Sequence, residues 1–150
     1  MSQSRHLQSD PLDLAALLQE TEDGSCGALV VFSGTVRNHH AGKAVQRLNY
    51  TAHAALLDQV LSELERETMQ RFGVSQCRIV HREGDLEVGE DSVLVVVRSA
   101  HRGEAFEAAR YAIDTLKQRA PVWKREFYTD GSVDYQDGVP LSACNHGHDP

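Results

Sequence analysis

The chain has 150 residues, 41% hydrophobic and 25% charged, with 11 Gly and 4 Pro; this suits one compact domain with its own core and excludes disordered and collagen-like classes. Twenty-two acidic residues against 15 basic ones give a formal charge of −7, which excludes a broad basic footprint for nucleic acid or an anionic membrane but not a local basic pocket. The longest apolar run, Ala28 to Phe32, cannot cross a bilayer, the N-terminus lacks an apolar signal segment, and three widely spaced cysteines (Cys26, Cys77, Cys144) suit a reducing compartment, so a cytoplasmic protein is expected.

Asp10-Pro11 ahead of Leu12, Leu14, Ala15, Leu17 and Leu18 predicts a first helix with Asp10 as N-cap, ending in the acidic loop around Glu22 to Gly24. Gly27 to Val36 predicts a strand buried on both faces, with Arg37 just past its end. A polar loop, Asn38 to Lys43, leads to a second strand, Val45 to Tyr50, with Val45 on one face and Leu48 and Tyr50 on the other; the two strands make a candidate hairpin. Ala54 to Phe72 carries Leu57, Val60, Leu61 and Leu64 at helical spacing and is stopped by Gly73.

Val74 to His81 reads as a strand, Gly84 to Gly89 as turns, and Ser92 to Ser99, with its Val-Leu-Val-Val-Val run, as the strongest strand, which must lie centrally. Gly103 to Gln118 is an amphipathic helix with the stripe Phe106, Ala109, Ile113 and Leu116, and Pro121 marks its end. Val122 to Thr129 is extended, with Val122, Lys124 and Glu126 on one face and Trp123, Arg125 and Phe127 on the other. Residues 132–150 read as a weakly structured tail beyond a domain of residues 1–131. The order β-β-α-β-β-α-β implies a single α+β domain, a mixed β-sheet with packed helices.

Charge is uneven along the chain. Between His101 and Arg125 six basic residues (Arg102, Arg110, Lys117, Arg119, Lys124, Arg125) face three acidic ones, a net +3 inside an acidic protein. Arg110 and Arg119 fit solvated helix faces, Arg110 pairing with Asp114 one turn on. His101-Arg102 falls between the strongest strand and a helix start, where backbone amides, the helix dipole and two cationic side chains favour an anion such as phosphate. Lys117 lies at the edge of the buried stripe and Lys124 follows Trp123; amines held near apolar surface and near each other lose protons more readily and can act as bases or nucleophiles. Eight histidines and the Cys144-Asn145-His146-Gly147-His148 tail raise the question of metal, but no HExxH or paired CxxC motif supports a site, so no metal and no cofactor is expected.

The segments Gly27-Ala28 through Phe32, Gly34 and Val36-Arg37-Asn38; His81-Arg82, Gly84 and Leu86; Ser99-Ala100-His101-Arg102; Phe106-Glu107-Ala108; Leu116-Lys117; and Ala120-Pro121-Val122-Trp123-Lys124-Arg125-Glu126 follow one another in register from about Gly27 to Gly131. In this order the chain resembles the catalytic (large) subunit family of molybdopterin synthase. The resemblance implies an α/β-hammerhead-like fold and a sulfur transfer in molybdenum cofactor biosynthesis. The implied substrate is cyclic pyranopterin monophosphate, and the implied sulfur donor is a small ubiquitin-like subunit with a C-terminal Gly-Gly thiocarboxylate. It further implies a central homodimer within a heterotetramer. Carried over by position, Thr35, Val36 and Arg37 contribute to the substrate pocket, His101 and Arg102 bind phosphate, Lys117 and Lys124 are the catalytic amines, and Arg125 and Glu126 complete the second segment. The chain departs from the pattern at Tyr50-Thr51, where relatives carry Tyr-Glu, and at Tyr135, near where a Trp is usual.

Arg102 and Lys117 stand fifteen residues apart across a predicted helix, roughly 22 Å at 1.5 Å per residue, too far for one pterin to bridge. An unbroken helix therefore requires a second copy to complete the site at a two-fold interface. Two other readings stand beside this one: a non-catalytic dimeric binder of a phosphorylated pterin or nucleotide that uses the same basic pocket, and a metal-dependent hydrolase that uses the histidines and binds zinc.

Overall fold

The computed structural model describes residues 4–136. They form a short strand β1 (Leu7–Gln8), helix α1 (Leu14–Glu20), strands β2 (Ala28–Thr35), β3 (His39–His40) and β4 (Lys43–Ala52), and helix α2 (Ala54–Phe72). Strands β5 (Gln76–Arg82), β6 (Gly84–Glu87) and β7 (Asp91–Ser99), helix α3 (Arg102–Arg119) and strands β8 (Val122–Tyr128) and β9 (Val133–Gln136) follow. The α+β class holds, but the single mixed sheet is two sheets. One runs β1-β5-β7-β2, with β1 parallel to β5 and the other pairs antiparallel; the second runs β3-β4-β8-β9, with β6 also on β4.

The central position expected for Ser92 to Ser99 is observed, and its cause is visible in the packing. Val93, Val95 and Val97 of β7 join the core beneath α2 and α3, whereas Leu94 and Val96 meet Leu17 of α1 on the other face. A strand covered on both sides needs a continuous apolar run, and β7 has one. Helix α2 buries Leu57, Leu61 and Leu64 and ends at Gly73, whose φ of 68° suits a residue without Cβ.

Several local expectations give way to longer-range effects. Helix α1 is capped by Asp13, whose Oδ1 accepts from the Ala16 amide at 3.1 Å; Asp10 and Pro11 instead lie before the helix, their carbonyls taking hydrogen bonds from the Gln8 side chain. β2 is not buried on both faces: among the described residues it pairs only with β7, and Leu29 is left 43% exposed at the sheet edge. Nor does β2 form a hairpin with β4; β4 pairs with β6 and β8, and its own hairpin partner is the two-residue β3. A register shift between Val45 and Arg47 breaks the alternation of β4, so Val45 and Leu48 share one core with Val36, Leu86 and Tyr128. Gly84 to Glu87 is strand rather than turn, and β9 extends ordered structure past the boundary expected at residue 131.

Phe106 is not part of the α3 stripe but 60% exposed. Ala105, Ala108 and Ala112 take the inward positions instead, and such small residues let the helix lie close on the sheet. The Arg110–Asp114 pair forms at 3.7 Å on an exposed face, whereas Arg119 reaches across to Glu67 of α2 at 3.0 Å and so joins the two helices.

The N-terminal segment is fastened by His6, which is 1% exposed and lies between Asp58 Oδ1 (2.9 Å) and Glu65 Oε1 (3.2 Å). Glu65 Oε2 in turn accepts from the Ile79 amide at 2.8 Å. Burial disfavours the imidazolium, but the hydrogen bonds to Glu65 and Asp58 and the charge of Glu65 outweigh it, so the His6 pKa is raised above 6.5. A raised pKa stabilises the fold fully below the unfolded value, and the contribution fades as pH climbs through the folded one. His6→Ala is therefore expected to cost about 2 kcal/mol at pH 6, with the gap to wild type narrowing towards pH 9, as measured by urea unfolding.

Candidate functional site

His101 and Arg102 stand where β7 passes into α3, and both are exposed. His101 is the N-cap residue yet makes no side-chain cap; in the first turn the Glu104 carboxylate accepts from the Ser99 hydroxyl at 3.0 Å and faces the helix-start backbone amides. These bonds hold the Glu104 carboxyl below its usual range. An anion reaching this helix end meets a carboxylate already in place, so the donors open to a phosphate are the side chains of His101 and Arg102 rather than the first-turn amides. Gly27, Leu29, Ala100 and Phe106 join these two residues in lining an open groove of about 440 Å³. Exposed Leu29 and Phe106 make its rim apolar.

Lys117 projects from the last turn of α3 and is exposed, at the other end of the same unbroken helix from Arg102. Within one chain the structure does not bring His101-Arg102 and Lys117 together. Among the described residues, Arg37, Arg102 and Lys117 form no ion pair, so three cations remain open to an anionic ligand.

Lys124 is half-buried on the inner face of β8, across from Tyr50 of β4, with its ammonium 3.4 Å from Glu126 Oε2. Glu126 is 3% exposed and is held by the Tyr128 hydroxyl on Oε1 (2.6 Å) and by His40 Nδ1 near Oε2 (3.3 Å). Strand alternation sends Arg125 to the opposite face, where it donates to Asn49 at 3.1 Å and lies 5.5 Å from the Phe127 ring. Arg125 therefore does not share the surface of Lys124 within this chain. His40 and Tyr128 were not among the residues expected at the site; His40 sits in what reads as a polar loop, and only the β3–β4 pairing turns it towards Glu126.

Thr35, Val36 and Arg37 lie where the two sheets meet. The Val36 amide donates to the Glu90 carbonyl at 3.0 Å and its carbonyl accepts from Gly89 at 2.9 Å, so its backbone groups are already committed. The Thr35 and Arg37 side chains are the exposed groups of this stretch.

Two further histidines have structural partners within the fold. His81 is buried, its Nδ1 donates to the Arg82 carbonyl at 2.8 Å, its ring packs edge-on against Tyr50, and burial pushes its pKa down to about 4, so it stays neutral. His53 caps α2 by accepting from the Leu56 amide. Among the described residues no group of three His, Cys, Asp or Glu side chains is placed to hold a metal ion, and no helix is long and apolar enough to cross a membrane. Cys144, His146 and His148 lie outside the described residues.

Fold and site together define an α+β protein with open cations at both ends of one long helix and a lysine–carboxylate pair on an adjoining sheet. The family model described as MoaE protein matches residues 7–119. A molybdopterin synthase catalytic subunit from Dictyostelium discoideum is 40% identical over 144 residues, covering 91% of this chain and 90% of the relative. The crystal structure of molybdopterin synthase from Staphylococcus aureus superposes with a TM-score of 0.84 at 30% identity, covering 91% of this chain and 98% of that one. A complex of subunits 1 and 2 of molybdopterin-converting factor from Helicobacter pylori matches with a TM-score of 0.71 at 25% identity, covering 91% of this chain and 94% of that one. The chain belongs to the MoaE family, whose curated members are molybdopterin synthase catalytic subunits.

Proposed function

We propose that this chain moves sulfur from the thiocarboxylated Gly-Gly tail of a small ubiquitin-like subunit to cyclic pyranopterin monophosphate, building the dithiolene of molybdopterin. The observation that carries this reading is the placement of exposed, unpaired cations at Arg37, Arg102 and Lys117 in a chain whose overall charge is −7. Cyclic phosphate, thiocarboxylate and the charge that develops as the phosphate ring opens are all anionic, and positioned donors stabilise such charge as it forms. Sulfur arriving on a partner's tail also makes a catalytic cysteine unnecessary; burial pushes the Cys77 thiol up to about 12, which leaves it inert.

Within this reading His101 and Arg102 take the phosphate, Thr35, Val36 and Arg37 border the pterin, and Lys117 serves as general acid and base or as a transient covalent partner to the acyl carbon. Lys124 orients the thiocarboxylate, with Glu126 beside it and Arg125 on the neighbouring face. The unbroken α3 supports a site shared between two copies, since its 18 residues keep the two cationic ends roughly 22 Å apart. The edge of β2, unpaired among the described residues, and the apolar rim at Leu29 and Phe106, next to His101, suit a second copy of the chain. A homodimer at the centre, with a small subunit at each end, gives a heterotetramer.

The test is incubation of the chain with its thiocarboxylated small subunit and cyclic pyranopterin monophosphate, followed by assay for molybdopterin. Product formation is expected. Binding of the pterin without product, given a cognate and fully thiocarboxylated partner, would replace this reading with that of a binding protein.

A further inference from the structure

We propose that His40 is a positioning residue for Lys124, acting through the carboxylate of Glu126 that both side chains share. The proposal rests on the reading of Lys124 as an active-site amine. Its geometry is a contest for one oxygen. Glu126 Oε1 is taken by the Tyr128 hydroxyl at 2.6 Å, while His40 Nδ1 at 3.3 Å and Lys124 Nζ at 3.4 Å both approach Oε2.

Each partner is held in place by the local fold. The β3–β4 hairpin turns at Ala41 and Gly42, with φ of 52° and 79°, as a two-residue turn with both central residues left-handed requires. Alternation across the hairpin turns His39 outward, where its Nδ1 lies 2.8 Å from Asn38 Oδ1, and His40 inward to Glu126. The Tyr128 hydroxyl is a fixed donor, since burial and the charges of Glu126 and Asp134 raise its pKa and keep it protonated. Around this group, Lys43 lies over the Tyr128 ring at 5.0 Å, Asp134 Oδ2 lies 3.4 Å from the Tyr128 hydroxyl oxygen, and Tyr50 faces Lys124 across β4.

A buried carboxylate is satisfied only by partners that stay in reach. With His40 present, Glu126 is supported without its full charge falling on Lys124, and the ammonium can leave Oε2 for an incoming thiocarboxylate. Without His40 the whole of Oε2 falls to Lys124, whose ammonium is then held more tightly against the carboxylate and is less free to meet a reagent or substrate. His40 thus sets how freely Lys124 moves between its resting carboxylate and the substrate.

Acetylation of Lys124 in the full chain without substrate, followed by mass spectrometry, reads this coupling directly. His40→Ala is expected to slow Lys124 labelling about threefold, the scale of one partly exposed ion pair, and His40→Gln, which keeps a donor of similar reach, to restore it. In a Glu126→Gln background the His40→Ala change should have no further effect. Lys117, exposed on α3, is the control for reagent reactivity, and an unchanged urea midpoint for each variant shows that it is folded. In the reconstituted assay His40→Ala should lower kcat by a similar factor with KM for the pterin unchanged. Equal Lys124 labelling in wild type and His40→Ala overturns the coupling, whereas full turnover by Lys124→Ala overturns the reading of Lys124 beneath it.

Discussion

Lys117→Ala is expected to abolish molybdopterin formation, by about 10²–10⁴-fold in kcat if the amine works as a general acid and base, while binding of the small subunit stays measurable. The structure makes this a clean experiment. Lys117 is exposed on the last turn of α3 and has no ion-pair partner among the described residues, and alanine is the best helix former, so the variant loses an amine without losing the helix. The buried face of that turn, Thr115 and Leu116, is untouched. Lys117→Arg separates the rival readings, because a site that needs only charge tolerates arginine, whereas a proton-transferring or covalent amine does not. Near-normal turnover by either variant, with cofactor-free protein and saturating small subunit, would remove Lys117 from the chemistry.

The second large effect concerns the assembly. Arg102→Ala and Lys117→Ala are each expected to be inactive alone, yet mixing the two chains should restore activity. In a hybrid dimer one site combines both defects and the other combines intact Arg102 of one copy with intact Lys117 of its mate. Random exchange at equal amounts makes half the dimers hybrid, so about one quarter of wild-type activity should return. Arg102 is suited to the test because it is exposed and makes no ion pair among the described residues, so its removal leaves the Ser99–Glu104 contact at the helix start in place. If confirmed hybrids stay inactive, the site is built within one chain, and α3 cannot be the element that divides it.

These experiments depend on features that differ in how far they could be read from residue order. The extent of α3 was legible, since the helical spacing of Phe106, Ala109, Ile113 and Leu116 and the proline at 121 are local signals, and with it came the separation of Arg102 from Lys117. The inward face of its first turn was not: Phe106 is the more hydrophobic residue, but Ala105 faces the sheet because close approach of helix and strand excludes a large ring. That Lys124 and Glu126 share a face followed from simple alternation along β8; their ion pair is seen only in the structure. The third partner did not, because His40 reaches Glu126 only through the hairpin turn at Ala41-Gly42, and the shift between Val45 and Arg47 breaks the alternation that β4 was expected to follow.

Residue order alone determined the α+β class, the central place of the Val93–Val97 strand, the two long helices and the basic segment from Arg102 to Arg125. All of these depend on periodicity, composition or capping within a few residues. Only the tertiary structure decided that there are two sheets rather than one, that β2 is, among the described residues, a free edge beside His101, and that Glu126 is shared by Lys124, His40 and Tyr128. Strand partners are chosen by long-range packing and hydrogen bonding, whose competing solutions look alike in a local pattern, and a buried carboxylate gathers its donors only after those choices are made.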